Sequence, residues 1–174
     1  LVPIKQIDLF LEAAKHILVR TPDAVFAIAG DGELRVELET AAERLGITRN
    51  VRFLGFRSDL ERIYPDLDVC CLTSANEGSP VSLIEALSCG CPVVSTDVGG
   101  VRDVLEGGRY GRMVPDKNPA ALAQAVQELL DDRAKREALG ASARRSALER
   151  FSIERLVADL DRLYRELSAR ATSA

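Results

Sequence analysis

With 174 residues, of which 47% are hydrophobic and 29% charged, the chain has the size and balance of one globular domain. Its formal net charge of −4 argues against nucleic acid as the main partner. No apolar run approaches the roughly 20 residues that a membrane span needs, and we expect no signal peptide because Lys5 and Asp8 interrupt the apolar start.

Apolar spacing and turn residues divide the chain into alternating helices and short apolar strands. In chain order the predicted elements are helix 6–20, strand 24–29, helix 33–45 ended by Gly46, strand 51–56, helix 59–64 ended by Pro65, strand 68–73, helix 80–88, strand 92–95, helix 101–106, strand 110–114 and helices 118–131, 133–149 and 153–169.

The strands are continuous apolar runs rather than runs of alternating polarity. Such strands are typical of a parallel sheet that helices cover on both faces, so we predict a doubly wound α/β fold. Ligands of these folds bind at the carboxyl ends of the strands, and the loops after each strand are therefore the informative ones.

The four cysteines, Cys70, Cys71, Cys89 and Cys91, do not have the spacing of a zinc site. Cys70 and Cys71 are neighbours on a predicted strand and point to opposite faces. We interpret all four as small, largely buried thiols in a reducing compartment, which indicates a cytoplasmic location.

The segment Asn76–Leu87 follows the strand that contains Cys70 and opens a helix. Ser79 is a suitable N-cap and Pro80 suits the first helical position. The amides of Val81 and Ser82 then lie unpaired at the positive end of the helix dipole. This arrangement predicts an anion site that could accept a diphosphate.

Two glutamates border this predicted anion site, Glu77 in the loop and Glu85 one to two turns into the helix. Carboxylates repel phosphate but accept hydrogen bonds from hydroxyl groups. Gly78 would let a ligand approach the backbone closely. A nucleotide sugar, with phosphates between two hydroxyl-bearing rings, fits this layout. Taken alone, two glutamates at this spacing fit an ordinary capped helix; the surrounding segment favours the ligand site.

The following segments carry a resemblance to a known family: Lys5, Gly30-Asp31-Gly32, Val51–Gly55, Asp68, Glu77, Glu85 and Phe151-Ser152. With them the sequence resembles the C-terminal, donor-binding domain of retaining glycosyltransferases of the GT-B fold, specifically family 4 (glycosyltransferase group 1). The resemblance runs over nearly the whole chain. It departs from the family's Phe-Ser-Trp at Ile153, which stands in place of tryptophan.

The resemblance implies a role for each candidate residue in binding a nucleotide-sugar donor. Glu77 would contact the transferred sugar as the catalytic residue, and Glu85 would bind the ribose hydroxyls. Lys5 would pair with the diphosphate, and the loop at Phe56 and Arg57 would meet the base through its backbone. Gly78, Ser79 and the amides of Val81 and Ser82 would complete the site.

The resemblance also implies the architecture, a Rossmann-like sheet that forms one half of a GT-B fold. The first strand and an arginine that assists Lys5 are expected before Leu1. The strand order would be 3-2-(1)-4-5-6, so that strands 24–29 and 68–73 flank the first strand. Residues 1–174 would be a single domain, whose final helix, 153–169, reaches toward an absent N-terminal acceptor-binding domain. The chain alone is then expected to be inactive.

By the same resemblance the reaction transfers sugar with retention and needs no metal or other cofactor. Another GT-B enzyme, such as a nucleotide-sugar 2-epimerase, remains an alternative, as does a non-catalytic nucleotide-sugar-binding module. A receiver-like signalling domain is disfavoured because the strand from Val51 ends in Gly55-Phe56 instead of an aspartate.

Three other features are interpreted as structural. Asp66-Leu67-Asp68 looks like a metal-binding pair but begins a buried strand. His16 lies beside the apolar face of the first helix, far from the strand ends. The basic residues of the helix at 133–149 could meet anionic lipid, but they are interleaved with acidic residues, which favours a solvated helix face.

Overall fold

Parallel strands and surrounding helices make up the computed structural model, which describes residues 1–172, with side chains through residue 169. The strands are β1 (Phe26–Ala29), β2 (Val51–Gly55), β3 (Cys70–Leu72), β4 (Val93–Thr96) and β5 (Arg112–Val114). The α-helices are α1 (Ile7–Leu18), α2 (Arg35–Leu45), α3 (Leu60–Ile63), α4 (Val81–Ser88), α5 (Val101–Val104), α6 (Pro119–Asp131), α7 (Arg133–Phe151) and α8 (Ile153–Thr172). This alternation confirms the predicted α/β class.

The strands form two parallel groups, β1 with β2 and β3 with β4 and β5. These pairs agree with the predicted order, which places another strand between β1 and β3. No strand ladder joins β1 to β3 within residues 1–172. The N-terminal segment connects the two groups, because Leu1 accepts a hydrogen bond from the Leu34 amide at 3.2 Å and Ile4 accepts one from the Ala75 amide at 2.8 Å.

Hydrophobic clusters cover both faces of the strands. Val93 and Val94, neighbours on β4, are fully buried and point into different clusters. The cluster around Val94 packs β1, β2 and β5 against α1, α2 and α6. The cluster around Val93 packs α4, α5 and α7 against the opposite face. Burial of β4 on both sides explains its uninterrupted apolar sequence and confirms the doubly wound arrangement.

Element ends follow the local chemistry, although several lie one to three residues from the predicted positions. Gly46 ends α2 in the left-handed conformation (φ 75°), as predicted. Pro65 was expected to stop a helix, but α3 ends at Ile63 and Pro65 lies inside a following 3-10 turn, Tyr64–Asp66. A 3-10 turn at Pro3–Lys5 precedes α1 and was not predicted. Proline fits both turns because its fixed φ suits the start of a helical turn.

The final helix, α8, exposes its apolar side chains. The exposed apolar residues on this helix are Ile153, Leu156, Val157, Leu160, Leu163, Tyr164 and Leu167. A helix with such a face normally packs it against another surface. Across residues 1–172, no helix has the length and apolar character that crossing a bilayer requires.

Candidate functional site

Glu77 lies in the loop between β3 and α4, and two donors hold its carboxylate. The Lys5 ammonium and the Ser74 hydroxyl each donate to Glu77 Oε1, both at 2.6 Å. Only 12% of the Glu77 side chain is exposed. Partial burial pushes the pKa of Glu77 upward, but the hydrogen bonds from Lys5 and Ser74 and the lysine charge outweigh it and lower the pKa. Glu77 is therefore a fixed carboxylate that stays ionised.

The N-terminal segment brings Lys5 to this loop. The 3-10 turn Pro3–Lys5 ends at Gln6, which adopts the left-handed conformation (φ 44°) and begins α1. The Thr73 hydroxyl donates to the Lys5 carbonyl at 2.8 Å and so fixes the turn on the end of β3. Lys5 itself remains 44% exposed. Its ammonium can therefore reach an anion at the edge of the sheet as well as Glu77.

A glycine pair after β4, Gly99-Gly100, packs against the backbone of the Glu77 loop. The Gly100 amide donates to the Glu77 carbonyl at 2.9 Å. A Cβ at Gly99 would overlap the Glu77 carbonyl oxygen, and one at Gly100 would overlap the Gly78 carbonyl oxygen. Only glycine permits this approach of the two backbones. The sequence shows the glycine pair, but nothing in its spacing reveals the contact.

The N-terminus of α4 differs from the prediction at Ser79. Pro80 is the N-cap, with a non-helical ψ of 86°, and its carbonyl accepts from the Leu83 amide at 3.0 Å. The helix begins one residue later than predicted, so Ser79 precedes the N-cap and makes no capping hydrogen bond. Among the described residues, the amides of Val81 and Ser82 have no acceptor, as predicted. Both residues are exposed, so the two amides can bind an anion.

Glu85 lies further along α4 and pairs with Tyr64, which no sequence motif singles out as part of the site. The Tyr64 hydroxyl donates to Glu85 Oε2 at 3.2 Å. Tyr64 is only 6% exposed. Burial is the main cause that raises the pKa of Tyr64, and the neighbouring Glu85 carboxylate raises it further, so the hydroxyl keeps the proton that it donates. The exposed Glu85 carboxylate is thereby held at one oxygen.

Phe56 and Arg57 follow β2 at the same edge of the fold. The Phe56 side chain is 81% exposed, and Arg57 pairs with Asp59 at 2.7 Å. In the part of the chain that the structure describes, neither side chain bonds to Lys5, Glu77 or Glu85. The structure therefore assembles the Lys5 and Glu77 part of the predicted site, while Phe56 and Arg57 stand apart on their own loop.

Asp68 takes part in an ion pair, and His16 is a surface residue. Asp68 accepts a hydrogen bond from Arg136 at 2.9 Å, which neutralises it on the side of α7. His16 is exposed on α1. Residues 1–172 contain no group of three or more His, Cys, Asp or Glu side chains that could hold a metal ion.

The four cysteines are free thiols, with Cys91 buried and the other three partly buried. Burial is the main cause that raises the pKa of Cys71 and of Cys91 to about 12. Neutral thiols of this kind are poor nucleophiles and poor metal ligands.

The parallel strands, the helices on both faces and the ion-pair and amide cluster at the carboxyl edge define a Rossmann-like α/β domain. The chain belongs to the family of group 1 glycosyl transferases, whose pattern matches residues 1–146. It is 36% identical over 173 residues to a D-inositol 3-phosphate glycosyltransferase of Corynebacterium urealyticum. That match covers 94% of this chain and 41% of the relative, so the chain spans about two fifths of the relative's length.

Solved structures share the fold. HepE (Alr3699) of Anabaena in complex with UDP-glucose superimposes with a TM-score of 0.86 at 28% identity, over 97% of this chain and 46% of HepE. A TarM variant of S. aureus, solved with UDP among its ligands, gives a TM-score of 0.86 at 26% identity, over 94% of this chain and 34% of TarM. These neighbours place the fold of this chain as one half of GT-B glycosyltransferases.

Proposed function

We propose that this chain is the donor-binding half of a retaining glycosyltransferase of family 4, which transfers a sugar from a nucleotide sugar to an acceptor. The observation that carries the proposal is the cluster at the carboxyl edge of the strands. An ionised Glu77 on Lys5, two unpaired amides at Val81 and Ser82, and Glu85 lie along one loop and helix. Along the chain a carboxylate, two amide donors and a second carboxylate follow one another, in the order that a sugar, a diphosphate and a ribose require.

Each group has a chemical task in this proposal. The amides of Val81 and Ser82 and the Lys5 ammonium bind the diphosphate and stabilise it as the leaving group. Glu85 accepts hydrogen bonds from the ribose, and Glu77 accepts them from the transferred sugar. The loop at Phe56 and Arg57 meets the base through its backbone. Gly78, where a Cβ would meet no neighbour, leaves room for the ligand beside the loop.

The reaction breaks the bond between the anomeric carbon and the diphosphate oxygen. The acceptor hydroxyl oxygen bonds to the same carbon from the same face, and the hydroxyl proton passes to the departing diphosphate. Cationic and amide donors take up the charge of the departing diphosphate, so we propose that no divalent metal is needed. UDP and UDP-glucose are the first probes to test, because HepE was solved with UDP-glucose and its fold is similar. The free thiols support a cytoplasmic location.

A second, acceptor-binding domain is part of the proposal. The relatives are more than twice as long as this chain. The exposed apolar face of α8 is a surface that such a domain would cover. The cleft between the two domains would then contain Glu77.

Calorimetry on this chain with UDP and with UDP-glucose tests the assignment of Glu77 and Glu85. Glu85→Ala should lower the affinity for both ligands by about tenfold or more, since it removes a hydrogen bond to a charged group. Glu77→Ala should leave the affinity for UDP unchanged and lower the affinity for UDP-glucose. Glu43→Ala, on the exposed face of α2, is the control.

Equal losses on both ligands for both variants would contradict this division of roles. The titrations are repeated with EDTA, and a loss of binding there would contradict the metal-free site. If the parent chain binds neither UDP nor UDP-glucose, a wider set of nucleotide sugars is tested. The proposed function is wrong if none of them binds.

A further inference from the structure

Ser74 occupies a fully buried position beside the Glu77 carboxylate. Its exposed fraction is 0%, and its hydroxyl donates to Glu77 Oε1 at 2.6 Å. Lys5 donates to the same oxygen, so Oε1 has two donors. Within the described residues, Glu77 Oε2 has no hydrogen-bond donor. The carboxylate is thus oriented with one oxygen held and one oxygen open to a ligand.

The position of Ser74 is itself fixed by buried neighbours. Thr96, fully buried at the end of β4, donates from its hydroxyl to the Ser74 carbonyl at 2.6 Å. The Gly100 amide holds the Glu77 carbonyl at 2.9 Å. The backbone of Glu77 is therefore fixed from β4, while its side chain is fixed from β3. Hydroxyl groups held in this way are pre-organised and lose little entropy when a ligand binds.

With a donor bound, Lys5 would face two acceptors, the Glu77 carboxylate that it contacts in this structure and the diphosphate. A diphosphate carries more negative charge than one carboxylate, so we expect the exposed Lys5 ammonium to turn toward it when a donor binds. Ser74 then remains as the donor on Oε1. Within the described residues the buried Ser74 hydroxyl has no acceptor other than Glu77, so we expect this hydrogen bond to persist.

We propose that Ser74 is a positioning residue, which keeps Glu77 oriented so that Oε2 meets the transferred sugar after Lys5 has moved to the diphosphate. This inference rests on the proposed function. It assigns to Ser74 a task in sugar recognition that does not involve contact with the sugar. It also explains why a polar side chain is buried at the end of an apolar strand.

The first measurement concerns the chain without ligand. Carbon-13 NMR titration of the Glu77 carboxylate should give a higher pKa in Ser74→Ala than in the parent, because a hydrogen bond to the charged form is lost. Ser74→Thr, which keeps a hydroxyl, should restore the parent value. Ser95→Ala is the matched control, since Ser95 is also fully buried but donates to the Thr96 carbonyl instead of Glu77.

The second measurement is a double-mutant cycle for binding of UDP-glucose and UDP. Ser74→Ala should lower the affinity for UDP-glucose about tenfold and leave the affinity for UDP unchanged. In a Glu77→Ala background the serine substitution should have no further effect on the affinity for either ligand. Ser74→Thr should bind UDP-glucose more tightly than Ser74→Ala, which separates loss of the hydroxyl from loss of folding.

The outcomes distinguish this inference from the proposed function. If the parent binds UDP-glucose and Ser74→Ala binds it equally well, Ser74 does not position Glu77 and the proposed function stands. An unchanged Glu77 pKa in Ser74→Ala, or equal effects on UDP and UDP-glucose, overturns the inference as well. If the parent fails to bind any nucleotide sugar, both are wrong.

Discussion

Among single residues, Lys5 and Glu77 determine how the site responds to pH. Their ion pair is 2.6 Å long and joins residues 72 positions apart. The pKa of Glu77 in the folded chain lies below its ordinary value. Its carboxylate therefore contributes stability that is complete above the unfolded pKa, roughly 4.3, and that is lost as the pH falls through the lower, folded pKa.

The corresponding prediction concerns Glu77→Gln, which cannot ionise. Above about pH 5.5 the free energy of unfolding of the parent should exceed that of the variant by a constant amount, and below roughly pH 4.3 this difference should narrow. Urea unfolding of both proteins between pH 3 and 7 measures it. In a Lys5→Met background the narrowing should be smaller. A difference that does not change with pH would show that the ion pair does not shift the pKa of Glu77.

Residue-level sequence reasoning found the charged groups and missed the groups that hold them. Glu77 and Glu85 were predicted from their places around the start of a helix, and Lys5 from the resemblance to the family. Ser74 and Tyr64 were missed since each acts through one hydroxyl on one carboxylate. Tyr64 is 21 positions from Glu85, and no periodicity connects the two. A hydrogen bond between distant residues follows from packing, which spacing does not encode.

At the scale of elements, two loops meet in the Glu77 site, and the glycines in them have different roles. Gly100 lies where a Cβ would overlap the Gly78 carbonyl oxygen, whereas a Cβ on Gly78 would meet nothing within 4 Å. The first glycine is needed for packing between the loops. The second is not required by the ligand-free fold, which leaves ligand approach as its role in the proposal.

We therefore predict opposite effects for Gly78→Ala and Gly100→Ala. Gly78→Ala should change the free energy of unfolding by less than about 1 kcal/mol, yet weaken UDP-glucose tenfold or more. Gly100→Ala should destabilise the chain by about 1–3 kcal/mol, because the two loops must separate. Urea unfolding and calorimetry on both variants measure these effects. Gly107→Ala is the comparison for backbone strain alone, because Gly107 also lies in open space but has a left-handed φ of 65°. Unchanged ligand binding in Gly78→Ala would show that the ligand does not approach this glycine.

The elements themselves were largely predictable, and the errors lie at their ends. Continuous apolar strands and amphipathic helices gave the order of elements and the parallel pairing. The N-cap at Ser79 was wrong because Pro80 adopts a non-helical ψ and begins the helix later. The turn Pro3–Lys5 was missed because three residues are too few to show a period. Sequence patterns thus report which face is buried more reliably than where a helix starts.

For the whole molecule, α8 is the element that the rest of the described fold leaves uncovered. Its apolar residues remain between 43% and 70% exposed. The helix follows directly from α7, and Arg150 at the end of α7 donates to the carbonyls of Asp103 and Val104. The start of α8 is therefore anchored on the domain, while its apolar face points away. This geometry leaves the face free for the acceptor-binding domain of the proposed function.

The last prediction is that this chain binds a nucleotide sugar but does not transfer it. Three features motivate the prediction: the chain spans about two fifths of a relative's length, the face of α8 is exposed, and the Glu77 edge is open to solvent at Lys5. Transfer needs the acceptor held against the anomeric carbon, and such positioning supplies about 7–11 kcal/mol of barrier reduction.

An assay of the chain alone, with radiolabelled nucleotide sugars and mixed acceptors, measures this directly. We expect binding, and at most slow hydrolysis, because water reaches a donor in an open half-site and no second domain orients an acceptor. Adding a separately expressed acceptor-binding domain that covers the apolar face of α8 should produce transfer. Leu160→Glu on that face should reduce the rate of transfer without changing the affinity for the donor. Sustained transfer by the chain alone, abolished by Glu77→Ala, would show that one domain contains the complete active site.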